Sequence, residues 1–143
     1  MDMAAQNPIR IAAALMSRSD GRVLLVRKRA TESFMQPGGK IEADEHPQAA
    51  LRRELLEELG IDVDPDDMTY VGRYTAPAAH EPGRLVDAEI FRIAVVHSVS
   101  PGAEIEEILW LDPNAVGSVK LAPLTRDKLL PLCSRPAAAT DRS

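Results

Sequence analysis

The chain has 143 residues, of which 45% are hydrophobic, 27% charged and only 3% aromatic, a composition that suits one globular domain with a core of Val, Ile, Leu and Ala. Its formal charge of −5 excludes a general nucleic-acid binder, because affinity for phosphate backbones comes mainly from Lys and Arg, so no stable nucleic-acid complex is expected. The lone cysteine, Cys133, excludes an intrachain disulfide and a thiolate metal site, and no apolar run approaches the length of a membrane span or signal peptide; the expectation is a cytoplasmic protein.

Met1–Pro8 reads as a short flexible lead-in. Ile9–Ser17 and Arg22–Arg29 are β-rich enough for two strands, joined by Ser19-Asp20-Gly21, whose Asp and Gly tolerate the backbone of a tight hairpin. The basic run Arg27-Lys28-Arg29 suits a solvated strand end; Arg27 and Arg29 are its candidates for neutralising a phosphorylated ligand. A loop over Thr31–Gln36 then leads into Pro37-Gly38-Gly39.

The pattern predicts a helix over Pro47–Leu59. Proline suits the first turn, Asp44 and Glu45 place negative charge before it, and Gly60 closes it. Ala49, Ala50, Leu51, Leu55, Leu56 and Leu59 supply a wide apolar arc. Ile61–Val63 and Thr69–Ala76 are expected to be extended, with Pro65-Asp66-Asp67 turning the chain between them. A loop over Ala76–Arg84 follows, then strands over Leu85–Val99 and Ile105–Leu111, and helical spacing over Leu124–Leu132. The polar, Ala-rich tail Arg135–Ser143 is expected to fray. No internal repeat or boundary divides the chain, so residues 1–143 are expected to form a single α/β domain around a mixed sheet, with about 1–8 and 135–143 as flexible tails.

Within the predicted helix, Glu54, Glu57 and Glu58 stand at i, i+3 and i+4, so Glu54 lies within one turn of both others. Like charges at this spacing repel by roughly 0.2–0.5 kcal/mol per pair on an exposed helix, and more when partly buried. Arg52 and Arg53 can offset part of that repulsion, and divalent cations can offset the rest. Three carboxylates offer only oxygen donors, which suits Mg²⁺ or Mn²⁺ rather than zinc. Gly38-Gly39 gives a backbone able to approach a metal or phosphate closely. The three histidines, His46, His80 and His97, form no ligand spacing: His46 reads as a neighbour of the helix cap and the other two as ordinary polar residues.

From Gly39 to Ile61 the sequence reads GKIEADEHPQAALRRELLEELGI. This resembles the Nudix box: Gly, five residues, Glu, seven residues, then Arg-Glu-aliphatic-any-Glu-Glu-any-Gly-aliphatic. Gly39, Glu45, Arg53, Glu54, Leu55, Glu57, Glu58, Gly60 and Ile61 fill every specified place. At ordinary residue frequencies a chance match is about one in a billion per starting position. With the flanking strands the resemblance covers about residues 9–132.

The resemblance implies an α/β/α sandwich around a mixed sheet and hydrolysis of a nucleoside diphosphate linked to another group. A nucleoside triphosphate, oxidised or not, is the foremost substrate; dinucleotides, ADP-ribose and nucleotide sugars are the alternative, and a nucleotide-sensing module without activity is the third. It further implies Glu57 as principal metal ligand, Glu54 and Glu58 as further ligands, the Gly38 carbonyl completing the shell, and Arg53 orienting the carboxylates. Glu45 is then a structural or outer partner, and Gly39 and Gly60 are backbone requirements. Some relatives take another ligand or base from a downstream loop, for which Glu104, Glu106 and Glu107 are the candidates. The expected mechanism is in-line attack of a metal-activated water on a pyrophosphate phosphorus, assisted by Mg²⁺ or Mn²⁺; since clustered carboxylates hold protons without metal and release them to bound cations, activity is expected to rise toward alkaline pH. Many relatives dimerise, so a homodimer is a further expectation. Gln36 departs from the pattern, standing where many relatives carry an aliphatic or aromatic residue; it is expected to alter the substrate pocket.

Overall fold

The computed structural model describes residues 7–102 and 104–133. The expected tail Arg135–Ser143, and all of the lead-in except Asn7 and Pro8, lie outside the described residues.

Strand β1 (Ile9–Ser17) is the centre of the molecule. It pairs in parallel along its whole length with β5 (Leu85–Ala94), which pairs antiparallel with β4 (Thr69–Pro77). On the other side, β2 (Val23–Lys28) pairs antiparallel with β6 (Ile105–Leu111), giving the order β4-β5-β1-β2-β6. The hairpin between β1 and β2 holds them together only at its base, where Ser17 faces Val23. Beyond that point the two strands splay, and the chain from Phe34 to Lys40 is wedged between them. Met35 exchanges both backbone hydrogen bonds with Val26, and β3 (Gly38–Lys40) pairs with Ala13, Ala12 and Ile11 of β1.

Helix α1 (Pro47–Leu59) covers one face of the sheet, and a helical segment near the C-terminus covers the other. That second segment opens with α-helical Pro123 and Leu124, widens into a π-helical turn over Thr125–Leu129 and continues as α2 (Leu130–Cys133). Strand alternation assigns each side chain its face: Ala12, Ala14, Met16, Leu24, Val26, Phe91 and Ile93 pack toward α1, whereas Ala13, Leu15, Val23, Leu25, Ala88 and Ile90 pack toward the C-terminal segment. A central strand buried on both faces explains the run of alanines in β1, which lets a helix approach from either side. The result is the expected α/β sandwich around a mixed sheet. Among the described residues, no helix is long and apolar enough to cross a membrane.

Helix α1 has the predicted limits. It ends at Gly60, whose φ of 69° is left-handed and whose N–H returns to the Leu56 carbonyl. Its buried stripe is Ala50, Leu51, Leu55, Glu58 and Leu59; Ala49 and Leu56, expected in the apolar arc, are exposed. Each fully buried leucine contributes about 1.5–3 kcal/mol of burial, enough to hold the helix on the sheet.

Four expectations need correction. Ile61–Val63 pairs with no strand; Ile61 and Val63 pack against the core as irregular chain. Strand β5 stops at Ala94 rather than Val99, because the following residues leave the sheet to meet the end of α1: Ser100 and Gly102 donate backbone N–H groups to the carbonyls of Leu59 and Glu58. Gly38-Gly39, expected at the end of a loop, opens strand β3 instead, since the splayed β1 edge offers unpaired backbone groups that outweigh the poor β-propensity of glycine. The C-terminal helix is π-wound over Thr125–Leu129 instead of regular.

Candidate active site

The wedge between β1 and β2 brings the Gly38-Gly39 backbone beneath α1, and a cleft of about 470 Å³ opens there. Glu54, Glu57 and Glu58 line it together with Gly38, Gly39, Lys28 and Glu104. The opposite wall is the turn between β4 and β5, with Ala78, Ala79, His80 and Glu81.

Each glutamate has a different environment because each occupies a different angle on α1. Glu58 lies three residues after Leu55 and seven after Leu51, on the apolar stripe itself, and is only 6% exposed. Burial pushes its carboxyl up to about 7, despite a hydrogen bond from the Gly38 N–H at 3.1 Å. Glu54 is half-buried, and burial raises it too, against the pull of Arg53. Repulsion among Glu54, Glu57 and Glu58 adds to both shifts but is smaller than burial. Glu57 is exposed at the mouth.

Arg53 ties the first half of the motif to the second. Its Nε and Nη2 donate to Glu45 at 3.0 and 2.8 Å, its Nη1 to Glu54 at 2.9 Å, and its Nη2 also to the Lys40 carbonyl at 3.2 Å. The guanidinium holds the Glu45 carboxyl down at about 2. Asp44 makes this possible by taking a left-handed φ of 64°, which turns the chain so that Glu45 faces back along the helix. Arg52 does not share in the compensation expected of it; it pairs bidentately with Asp62 at 2.6 and 2.9 Å.

Gly39 has a steric reason to be glycine. A Cβ there would overlap the Glu54 carboxylate, and one on Gly38 would overlap the Ala12 carbonyl. Gly102 is constrained likewise: a Cβ would run into the Glu57 carbonyl oxygen. That close approach brings Ser100 and Gly102 to the end of α1, and the Arg29 N–H holds the Glu104 carbonyl at 2.9 Å.

Of the three downstream acids, Glu104 alone lines the cleft. Glu107 faces Arg27 across the β2–β6 pairing and is ion-paired with it at 3.1 Å, and Glu106 pairs with Arg29 at 3.8 Å. Arg27 and Arg29, the expected phosphate-neutralising residues, do not line the cleft; Arg27 also donates to the Thr31 carbonyl. Lys28, between them, lines it instead. Leu24, Val26 and Lys28 share the α1 side of β2, so strand alternation was the signal that would have found this residue. His80, read as an ordinary polar residue, stands on the cleft wall, and only the β4–β5 topology puts it there. His97 lies away from the cleft, and His46 is the N-cap residue of α1, without a side-chain capping bond.

The side chains with the chemistry to hold a divalent cation are Glu54, Glu57 and Glu58. Among the described residues no three His, Cys, Asp or Glu side chains already converge tightly enough to coordinate one ion. One oxygen of Glu54 is engaged by Arg53 and one of Glu58 by Gly38, leaving on each a second oxygen without a hydrogen bond, while no hydrogen bond engages the Glu57 carboxylate. Hard oxygen donors lining one cleft, with the carboxyls of Glu54 and Glu58 raised by burial, fit Mg²⁺ or Mn²⁺.

The family model described as NUDIX domain matches residues 7–133. The chain is 33% identical over 119 residues to a MutT-like protein of Streptomyces ambofaciens, covering 82% of this chain and 72% of that one. It is 32% identical over 120 residues to the CTP pyrophosphohydrolase of Escherichia coli (strain K12), covering 80% and 84%. Its fold is similar to the crystal structure of a MutT protein from Methanosarcina mazei Go1, with a TM-score of 0.69 and 23% identity over 88% of this chain and 93% of that one.

Proposed function

The chain belongs to the NUDIX domain family, and from that premise we propose that it is a divalent-metal-dependent pyrophosphohydrolase whose substrate is a nucleoside triphosphate. The observation that carries this reading is the convergence of Glu54, Glu57 and Glu58, from one helix, on a cleft floored by the Gly38-Gly39 backbone and flanked by Lys28. The triphosphate is favoured by the likeness to a CTP pyrophosphohydrolase across most of both chains.

Glu57, whose carboxylate no donor among the described residues engages, is the principal ligand, with Glu54 and Glu58 assisting. Arg53 fixes Glu54, and Glu45 fixes Arg53. Lys28 offers positive charge to the phosphate chain. A bound Mg²⁺ or Mn²⁺ supplies neutralisation of the phosphates and acidification of water. Water attacks the α-phosphorus in line, the bond from that phosphorus to the bridging oxygen breaks, and pyrophosphate leaves with the electron pair; Glu104 takes the proton from the water.

The test is a Mg²⁺-dependent assay over CTP, UTP, GTP, ATP, 8-oxo-dGTP, ADP-ribose and a dinucleotide, with products resolved. A nucleoside monophosphate and pyrophosphate in equal amounts are expected from at least one triphosphate. Glu57→Gln is expected to lower kcat by about two to three orders of magnitude with an unchanged melting temperature. Turnover near wild type in that variant removes Glu57 from its role, and activity confined to ADP-ribose or the dinucleotide overturns the substrate class.

A further inference from the structure

Off the cleft runs a smaller apolar slot of about 80 Å³, sharing Ile11, Ala13, Met35 and Val86 with it and closed at its far end by Leu124 and Thr125. Ligand pockets usually exceed about 300 Å³, so the slot takes one edge of a molecule whose remainder occupies the cleft. One polar side chain, Gln36, lines both. Gln36 is 5% exposed, and its Nε2 is the buried side-chain polar atom that, among the described residues, has no hydrogen-bond partner. Its Oε1 accepts a hydrogen bond from the buried Thr125 hydroxyl at 2.6 Å, so the Nε2 is the amide atom left for a ligand in the slot that Gln36 lines. The position is rigid: Phe34 donates to the Lys120 carbonyl and accepts from the Ala122 N–H, tying the wedge to the start of the C-terminal helical segment.

An amide donor buried without a partner has lost its water and gained nothing in return, a loss that a bound acceptor recovers. Resting on the triphosphate reading, we propose that the slot receives the edge of the nucleobase and that Gln36 determines specificity by donating from Nε2 to a base acceptor, a carbonyl oxygen or a bare ring nitrogen. The apolar walls pack on the ring, and the phosphates extend toward the glutamates. Such a site accepts a base with an acceptor at the amide and rejects one that presents an amino group there, since two donors would face each other in a dry slot.

The experiment compares the wild type, Gln36→Leu and Thr125→Val for Mg²⁺-dependent hydrolysis of CTP, UTP, GTP and ATP. The ¹⁵N-labelled wild type is also titrated with the four nucleoside monophosphates and with ribose 5-phosphate, reading the side-chain amide signal of Gln36, identified by its loss in the Leu variant. Gln36→Leu is expected to lower kcat/KM for the preferred nucleotide about ten-fold, chiefly through KM, with the others changing less than about two-fold. Thr125→Val frees the Gln36 carbonyl, allows the amide to rotate, and narrows the same preference. The Gln36 amide signal shifts downfield with the preferred monophosphate and stays fixed with ribose 5-phosphate. An equal fall for all four nucleotides with an unmoved amide overturns the proposal and leaves Gln36 a packing residue or the host of a water. Absence of triphosphate hydrolysis overturns the triphosphate reading alone, and the amide titration still decides whether the slot reads a base.

Discussion

Glu58 occupies a helix position that packing would give to leucine. Its carboxyl titrates near 7 in the folded protein against 4.5 in an unfolded chain. Between those values the folded state binds the extra proton, so the stability of the metal-free protein is full below about pH 4.5 and falls as pH climbs toward 7. The loss is about 3 kcal/mol. Glu58→Gln keeps an oxygen for the Gly38 N–H and carries no charge, so in EDTA at pH 8 it is expected to melt roughly 5–10 °C above the wild type. At pH 4.5 the two should melt alike, and added Mg²⁺ should raise only the wild type strongly. Parallel melting curves for the two proteins from pH 4.5 to 8 would refute the burial cost assigned to Glu58.

The nine specified residues of the motif were legible because their spacing is that of a helix and its two end turns, all local in sequence. Which carboxylate is buried was also within reach, since Glu58 continues the Leu51–Leu55 stripe. The choice among Glu104, Glu106 and Glu107 was not, because it depends on Arg27 and Arg29 across the β2–β6 pairing and on a register shift between Arg27 and Lys28.

Elements showed the same division between local and distant causes. Helix α1 and strands β1, β2, β4 and β6 follow their own periodicity, and the structure places their ends within a residue of expectation. Strand β3 and the early end of β5 do not, because partners impose them: an open β1 edge recruits Gly38–Lys40, and the exposed carbonyls of α1 draw the chain out of the sheet. Beyond the Gly60 cap, the 100–102 stretch engages the carbonyls of Glu58 and Leu59 at the end of α1, and Gly102 is its closest contact. Gly102→Ala is expected to cost about 1–3 kcal/mol of stability, since the obstruction is backbone that cannot rotate aside. It should also reduce kcat, because Glu104 lies two residues further on. A variant as stable and as active as the wild type would show that the loop can sit elsewhere without consequence.

At the scale of the whole molecule, the fold sets two dissimilar walls around one cleft. One is built on the central sheet: Gly38 and Gly39 are bonded into β1, and α1 is packed on it along its length. The other is a turn at the sheet margin, pinned by the Ala78 N–H on the Arg84 carbonyl and by the Arg84 side chain on the Asn7 carbonyl. Loops whose backbone bonds face solvent open at far lower free energy than central strands do. If a substrate is enclosed, residues 78–81 must do the moving. Microsecond-to-millisecond relaxation dispersion is therefore expected at those amides and quenched by a nonhydrolysable triphosphate with Mg²⁺, with Gly38 to Lys40 silent throughout; dispersion centred on the glycines would reverse the assignment.

The wedge between β1 and β2 also bears on how the protein is assembled. A hairpin joined only at its base cannot zip to its tips until residues 34–40 arrive between them, so the acidic helix and its glycine floor dock as a unit with the sheet's own completion. The reaction chamber and the central sheet thus share residues 34–40, and a substitution that dislodges that segment is expected to disturb both at once.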